Sequence, residues 1–380
     1  MREFEFELST KIYFGTNIIN EALQKESRRL AGRVLIVTSG RSLNSYGYLP
    51  ELVSRIKRLS NNDKVIVYDK ITQNPKINEV KEAIELGKKE NIQTVVGFGG
   101  GSAVDAAKAA AVGIGSEEDI ETYLLEGKEP EGYVLPIIAI PTTAGTGSEL
   151  SKGAIISSPA HRLKTGIRGK RLLPCVAIVD AAYTWTVPAR ITMETGFDVF
   201  AHAAESYMAV KANAFSEMLS EHAIRIVGEN LSTLADNPED RDAREKMSFA
   251  SMIMGMNLAN VGTCLPHRMQ YVIGACTESS HAAGLAALYP SWIGHEFGVN
   301  ETKVNQVLQW LGYPSVKESG EARKIFEELL ADWRLSYSLS EYGIEEVMTD
   351  KLAGQVTGNL ANDRLSGQSG IIYRILRESI

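Results

Sequence analysis

The 380-residue sequence predicts a chain of two halves, an α/β half followed by an all-helical half. Three observations carry this. Short apolar, β-branched runs alternate with amphipathic stretches as far as Asp180, the pattern of βαβ units and a parallel sheet. From Met193 onward helical period takes over and strand-like runs are nearly absent. Pro188 interrupts the chain between the two patterns. A boundary is therefore drawn within 181–190, giving domains 1–183 and 184–380.

Taken in order, residues 3–8 and 11–14 read as a small edge pair, because apolar and charged residues alternate there. Residues 34–37 form a continuous apolar run, a buried strand. Leu52, Val53, Ile56 and Leu59 place one apolar face on a helix over 52–59. A strand at 65–68, a helix at 80–89 and a strand at 94–98 follow, the last running into glycines. Two more strands are expected at 133–140 and 175–179. In the second half helices are expected over 197–210, 214–235, 241–256, 301–311 and 321–333.

Charge excludes some partners. Lys and Arg number 40 against 47 Asp and Glu, a formal charge of −7. Such a chain is poorly suited to nucleic acid or an anionic membrane, both of which are negative. No apolar stretch approaches the ~20 residues that span a bilayer, and the opening MREFEFELST has no apolar core of a signal peptide. Cys175, Cys264 and Cys276 are an odd number without a CxxC pair, which fits a reducing cytoplasm.

The chemistry-bearing motifs begin at Gly99-Gly100-Gly101-Ser102, between the strand at 94–98 and a helix-forming AVDAAK run. A strand, a glycine turn and a helix N-terminus make an anion site, since free N–H groups and the helix dipole face a phosphate. Alone, the same glycines also read as a tight turn. The hydroxyl-rich loop Pro141–Glu149, with Thr142, Thr143 and Thr146, follows another strand and can line a nucleotide. The first βα turn, Thr38-Ser39-Gly40-Arg41, has no acid to bind a ribose 2′-hydroxyl. Small residues with an Arg accommodate a 2′-phosphate, so Ser39 and Arg41 favour NADP(H) over NAD(H).

In the helical half Asp198 and His202 lie four residues apart, on one helical face, and Glu205 continues it. His267 and His281 sit in a glycine-punctuated stretch, 262–284. One carboxylate and three imidazoles suit Fe(II) or Zn(II); an isolated Asp–His pair also serves as a hydrogen-bonded core pair. His161, His222 and His295 are assigned structural or surface roles.

These residues together resemble the iron-containing alcohol dehydrogenase family. The matching stretches are GFGGGSAVDAAK (97–108), PTTAGTGSE (141–149), KTGIRGKRLLPCVAIVD (164–180), TGFDVFAHAAESY (195–207) and GMNLANVG (255–262), followed by His267 and His281. The resemblance implies a Rossmann-like nucleotide-binding domain and a helical metal-binding domain, in an architecture like that of dehydroquinate synthase. It implies metal ligands at Asp198, His202, His267 and His281, holding Fe2+, with Zn2+ as the alternative. It implies that Gly99, Gly100, Gly101 and Ser102 hold the cofactor diphosphate. Thr142, Thr143 and Thr146 would line the adenine and ribose, Lys164 would contact the cofactor, and Asp105 would be a catalytic residue near the nicotinamide or its ribose. One departure stands out: the family's HxxxH reads His267-Arg268-Met269-Gln270-Tyr271 here, so Tyr271 takes a histidine's place near the reacting atoms. Arg268 beside it could meet a carboxylate-bearing substrate or simply face solvent. The implied activity is hydride transfer between a nicotinamide and a small alcohol or aldehyde, by a homodimer or larger homo-oligomer. A hydroxyacid–oxoacid transhydrogenase, which Tyr271 also fits, and a non-catalytic metal- and nucleotide-binding protein are the alternatives.

Overall fold

The computed structural model describes residues 3–60, 64–277 and 279–380. The chain divides into two compact units, Glu7–Val187, and Pro188–Ile380 together with Met1–Phe6.

The first unit carries eight strands: β1 Lys11–Gly15, β2 Val34–Val37, β3 Val65–Tyr68, β4 Thr94–Gly99, β5 Ile137–Pro141, β6 Gly153–Ser158, β7 Leu163–Arg168 and β8 Val176–Asp180. Its helices are α1 Ile19–Lys25, α2 Arg41–Ser45, α3 Tyr48–Ser60, α4 Ile77–Lys89, α5 Gly101–Gly115 and α6 Ile120–Glu126. Six strands form a parallel sheet in the order β1-β8-β5-β4-β2-β3. Alternate residues feed two cores, as the strand period of two requires. Leu35, Val37, Val95 and Ile137 face one cluster, and Val34, Ile36, Val96, Phe98, Ile138 and Ile140 face the other. The strand order reverses between β2 and β4, which pair with Val37 opposite Gly97. In open α/β sheets ligands bind at the carboxyl ends of the strands flanking such a reversal. Here those ends are Thr38–Arg41 and Gly99–Ser102.

Three details differ from the sequence expectation. Residues 3–8 form no strand; β1 instead pairs in parallel with β8. Phe6 packs edge-on against Phe215 of the helical unit, ring centroids 4.6 Å apart, so its apolar residue serves a helix face rather than a sheet. The strand expected at 133–140 begins only at Ile137. The antiparallel hairpin β6–β7 was not anticipated, because Ser and Lys interrupt its apolar alternation; it still buries Ala154, Ile156 and Ile167.

The second unit is helical: α7 Ala189–Met208, α8 Ala214–Asp236, α9 Arg241–Asn260, α10 Leu265–Cys276, α11 His281–Trp310, α12 Ser319–Asp332, α13 Thr349–Gln355 and α14 Ile371–Glu378. α7 packs against α8, α9 and α11. Phe197 and Phe200 on α7 meet Tyr289, Phe326 and Trp333 in an aromatic core. The helix expected over 301–311 is the second arm of α11, beyond a break at Asn300, whose φ of −147° is non-helical. The glycine-punctuated stretch holds α10 and the start of α11. Among the described residues no helix is long and apolar enough to cross a membrane.

In the first unit Glu26, only 5% exposed, accepts hydrogen bonds from Lys11 Nζ (2.7 Å) and Tyr13 Oη (2.8 Å) on one oxygen and Arg29 Nε (2.9 Å) on the other. Burial raises its pKa, but Lys11, Tyr13 and Arg29 together lower it below the ordinary Glu value. A depressed carboxyl pKa stabilises the fold above the unfolded-state value and ceases to as pH falls through the folded one. Glu26→Gln is therefore expected to cost about 1–2 kcal/mol at pH 7. Denaturant unfolding should show the gap to the parent shrinking toward pH 3; a constant gap refutes an ionic origin.

Candidate active site

The nucleotide side is built from backbone. Gly99 ends β4 at φ +148°, and a Cβ there would lie 2.8 Å from Ala103 Cβ. Gly100 caps α5. A Cβ on Gly101 would come within 2.5 Å of the Thr146 side chain. The turn thus lies flush against the hydroxyl loop, joined to it by Thr142 N–H donating to Gly99 O at 2.9 Å. The fold brings Gly99, Gly100, Gly101, Ser102, Thr142, Thr143 and Thr146 to one place. Ser39 and Arg41 stand at the end of β2, where Gly40 N–H donates to Thr38 Oγ1 at 3.3 Å.

The end of β2 itself carries no acid. The structure adds one from the neighbouring strand: a Cβ on Gly40 would lie 2.7 Å from Asp69 Cβ. The signal was an Asp immediately after the β3 run, visible only once β2 and β3 are known to pair.

Asp105 has both oxygens engaged. Oδ1 accepts from Ser148 Oγ and Lys108 Nζ, and Oδ2 accepts from Ile155 N–H at 2.9 Å. It ties α5 to the hydroxyl loop and the hairpin. Lys108, fully buried, also donates to Ser151 O at 3.1 Å and Gly153 O at 2.7 Å; burial pulls its pKa down. Burial pushes neighbouring Glu149 up to about 7. Lys164 on β7 donates to Asn74 Oδ1 at 2.9 Å.

The metal side is built from side chains. Asp198 and His202 share one face of α7, His267 stands in the first turn of α10, and His281 begins α11. The Nε2 atoms of His202, His267 and His281 lie 3.6, 3.5 and 3.6 Å from Asp198 Oδ1. The ligating atoms of Asp198, His267 and His281 lie within 4.8 Å of one another. Asp198 Oδ1 and His267 Nε2 are buried and lack hydrogen-bond partners. Orphaned lone pairs at that depth are costly, and a divalent cation among them satisfies both.

Two further residues fix two of the imidazoles. Glu205 Oε1 lies 2.6 Å from His267 Nδ1, while its Oε2 accepts Cys264 N–H at 2.7 Å. Gln270 Oε1 lies 2.5 Å from His281 Nδ1. Each ring therefore donates Nδ1–H outward and turns the Nε2 lone pair toward Asp198, the usual support of a metal-binding histidine. Glu205 was visible on the Asp198 face; nothing in the sequence marked Gln270.

Electrostatics agree with a bound cation. Burial pulls the His267 pKa down, but Glu205 and Asp198 outweigh it and drive it up to about 10. Burial raises Asp198, yet the three imidazoles hold it well below the carboxylate range. The pocket thus favours positive charge, which a metal held there would supply in place of a proton. Tyr271, one turn after His267, stacks at 6.3 Å from the His281 ring. The other histidines lie elsewhere: His222 against Phe249, His161 on Ser158, His295 on Glu378.

Comparison with known proteins agrees with this geometry. The model of the family "Iron-containing alcohol dehydrogenase" matches residues 9–181, and that of "Fe-containing alcohol dehydrogenase family, C-terminal" matches 192–372. A long-chain-alcohol dehydrogenase of Geobacillus thermodenitrificans is 30% identical over 87% of this chain and 85% of its own. The mitochondrial hydroxyacid-oxoacid transhydrogenase of Xenopus tropicalis is 30% identical over 76% of this chain and 67% of its own. The crystal structure of an archaeal halo-thermophilic Red Sea brine pool alcohol dehydrogenase superposes with a TM-score of 0.92 at 27% identity, each chain fully covered. The chain belongs to the iron-containing alcohol dehydrogenase family and is, with it, an oxidoreductase.

Because Glu205 sets the His267 tautomer, Glu205→Gln should weaken Fe(II) or Zn(II) binding by roughly 10–100-fold. Competition against a chelator of known affinity reads this directly. An unchanged metal affinity in a folded variant refutes the orienting role.

Proposed function

We propose that this member of the iron-containing alcohol dehydrogenase family is a metal-dependent, NAD(P)-linked dehydrogenase of small alcohols. An alcohol and NAD(P)+ give the aldehyde, NAD(P)H and a proton, and the same steps run in reverse. The observation that carries the reading is the buried, unpartnered Asp198 Oδ1 faced by three imidazole nitrogens. When bound, a divalent ion supplies Lewis-acid polarisation of the substrate oxygen and the nicotinamide supplies or accepts hydride. Asp198, His202, His267 and His281 would hold Fe2+, with Zn2+ suiting the same ligands.

This chain's own residues have distinct tasks in the proposal. The N–H groups of Gly99, Gly100, Gly101 and Ser102 at the α5 N-terminus bind the cofactor diphosphate. Thr142, Thr143 and Thr146 line its adenosine side, and Lys164 supports the same cofactor. Asp105, with both oxygens engaged, acts as a positioning residue that holds the Ser148 loop in place. Tyr271 Oη donates a hydrogen bond to the substrate oxygen and passes on its proton. The three cysteines are free, consistent with a reducing cytoplasm, and a homodimer or larger homo-oligomer is the assembly proposed.

Preference for NADP(H) rests on Ser39 and Arg41; Asp69 beside Gly40 is the group that would favour NAD(H). A second reading, hydride exchange between substrates on a retained nucleotide, is favoured by Tyr271 and the 30%-identical transhydrogenase. Turnover without added nucleotide distinguishes it.

The activity is tested by metal analysis and a nicotinamide-absorbance screen of alcohols and aldehydes. Folded His267→Ala and His281→Ala proteins should lose metal and turnover; full retention of both refutes the reading. Tyr271→Phe should lower kcat by about 10–100-fold, and full turnover across pH overturns its proton role. Arg41→Ala should reduce kcat/KM for NADPH by ~10-fold or more while sparing NADH; equal effects on the two reject Arg41 as the selector.

A further inference from the structure

One cation of the helical unit stands beside the metal-ligand set without an acidic partner. Arg268 follows His267 on α10 and precedes Tyr271 by one turn. Its guanidinium carbon lies 5.0 Å from the Tyr271 ring centroid, and Tyr271 in turn stacks at 6.3 Å from the His281 ring, 23° between planes. The guanidinium is therefore one aromatic layer from a candidate metal ligand.

The group is held in place yet incompletely satisfied. Nη2 donates to Thr263 Oγ1 at 2.5 Å. Thr263 is itself buried, and its carbonyl accepts from Asn362 Nδ2 at 3.1 Å. The Arg268 stem runs past Gly358, at φ +101°, where a Cβ would lie 3.3 Å from Cδ. Nε is buried with no hydrogen-bond partner, and among the described residues no ion pair includes Arg268. A donor N–H withdrawn from water and left without an acceptor is unfavourable. An oxyanion bridging Nε–H and an Nη–H would complete it, because the planar fork matches two oxygens at once.

We propose that Arg268, with Thr263, is the anion subsite for the substrate. The substrates are then short aldehydes and alcohols that carry a carboxylate or sulfonate at the end away from the oxygen undergoing redox. This rests on the dehydrogenase reading, in which that oxygen meets the ion held by Asp198 and the histidines.

The test separates binding from turnover. Metal-loaded protein without nucleotide, which cannot turn over, is titrated calorimetrically with succinate semialdehyde, sulfoacetaldehyde and uncharged butanal. At least one anionic aldehyde should bind ~30-fold or more tightly than butanal, and the tighter of the two identifies the oxyanion. Arg268→Gln should bring that ratio to within about threefold. Arg268→Lys keeps the charge but not the fork, and should lose at least about fivefold on the anion. Equal binding of all three aldehydes by the parent protein, or a preference that survives in both folded variants, overturns the subsite. Failure of the dehydrogenase reading is a different result: the binding preference stands, but no aldehyde is reduced by NADH or NADPH.

Discussion

The helical unit is organised around one buried carboxylate oxygen, Asp198 Oδ1, that no protein hydrogen bond satisfies. A carboxylate at that depth is tolerable only if positive charge is close. Three imidazoles surround it with their Nε2 atoms, and a network of hydrogen bonds alone leaves the Asp198 Oδ1 and His267 Nε2 lone pairs unmatched. The arrangement is therefore strained as a hydrogen-bond network and relaxed as a coordination shell. Other features follow from this. Ala201, Ala203 and Ala204 keep α7 slim around the Asp198–His202 face. Glu205 turns His267 and Gln270 turns His281, so that both Nε2 atoms converge. Gly284 leaves room for Gln270, since a Cβ there would lie 3.1 Å from its Cγ.

The position of α10 is secured by the same economy of buried acids. Asp363 accepts Leu265 N–H at 2.9 Å, at the start of that helix, together with Trp292 Nε1 and Leu365 N–H. Burial raises the Asp363 pKa despite those three donors. Asn362 ties the preceding turn through the carbonyls of Val261 and Thr263. Cys264 caps the helix inside this network; burial lifts its thiol pKa far upward, and its Sγ donates to Glu205 O at 3.3 Å. It is a small packing group beside the ligand set.

What was legible in the sequence was whatever a local period or a short spacing encodes. The β2, β3 and β4 runs, the glycine turn before α5 and the four-residue interval from Asp198 to His202 depend only on neighbours along the chain. The less legible features depend on pairing across it. Asp69 matters to the first βα turn only because β3 lies beside β2. Gln270 matters because α10 and α11 meet at their ends near His281. The hairpin β6–β7 hides its apolar side between hydroxyls and lysines, so its period of two is weak. Residues 3–8 show the opposite error: a clean alternation that no strand takes up, although β1 stands at the edge of the sheet with β8 on one side only.

The two units solve their chemical problems by different means, and this governs how each responds to change. The nucleotide side presents backbone amides and space. Gly99 and Gly101 are required for what they lack, and any side chain there collides with Ala103 or Thr146. Its polar residues, Asp105 and Lys108 among them, are spent on internal ties. The metal side presents charge and lone pairs, and two of its imidazoles, His267 and His281, are each steered by a second residue. Loss of a steering residue there leaves the fold and the ligand in place but misdirects a lone pair, so binding weakens before stability does. Loss of a glycine on the nucleotide side deforms the cradle itself. The Arg268–Tyr271 pair belongs to the second kind: its guanidinium is carried on a rigid helix turn, held by Thr263 and an aromatic face, with one buried donor left for a ligand.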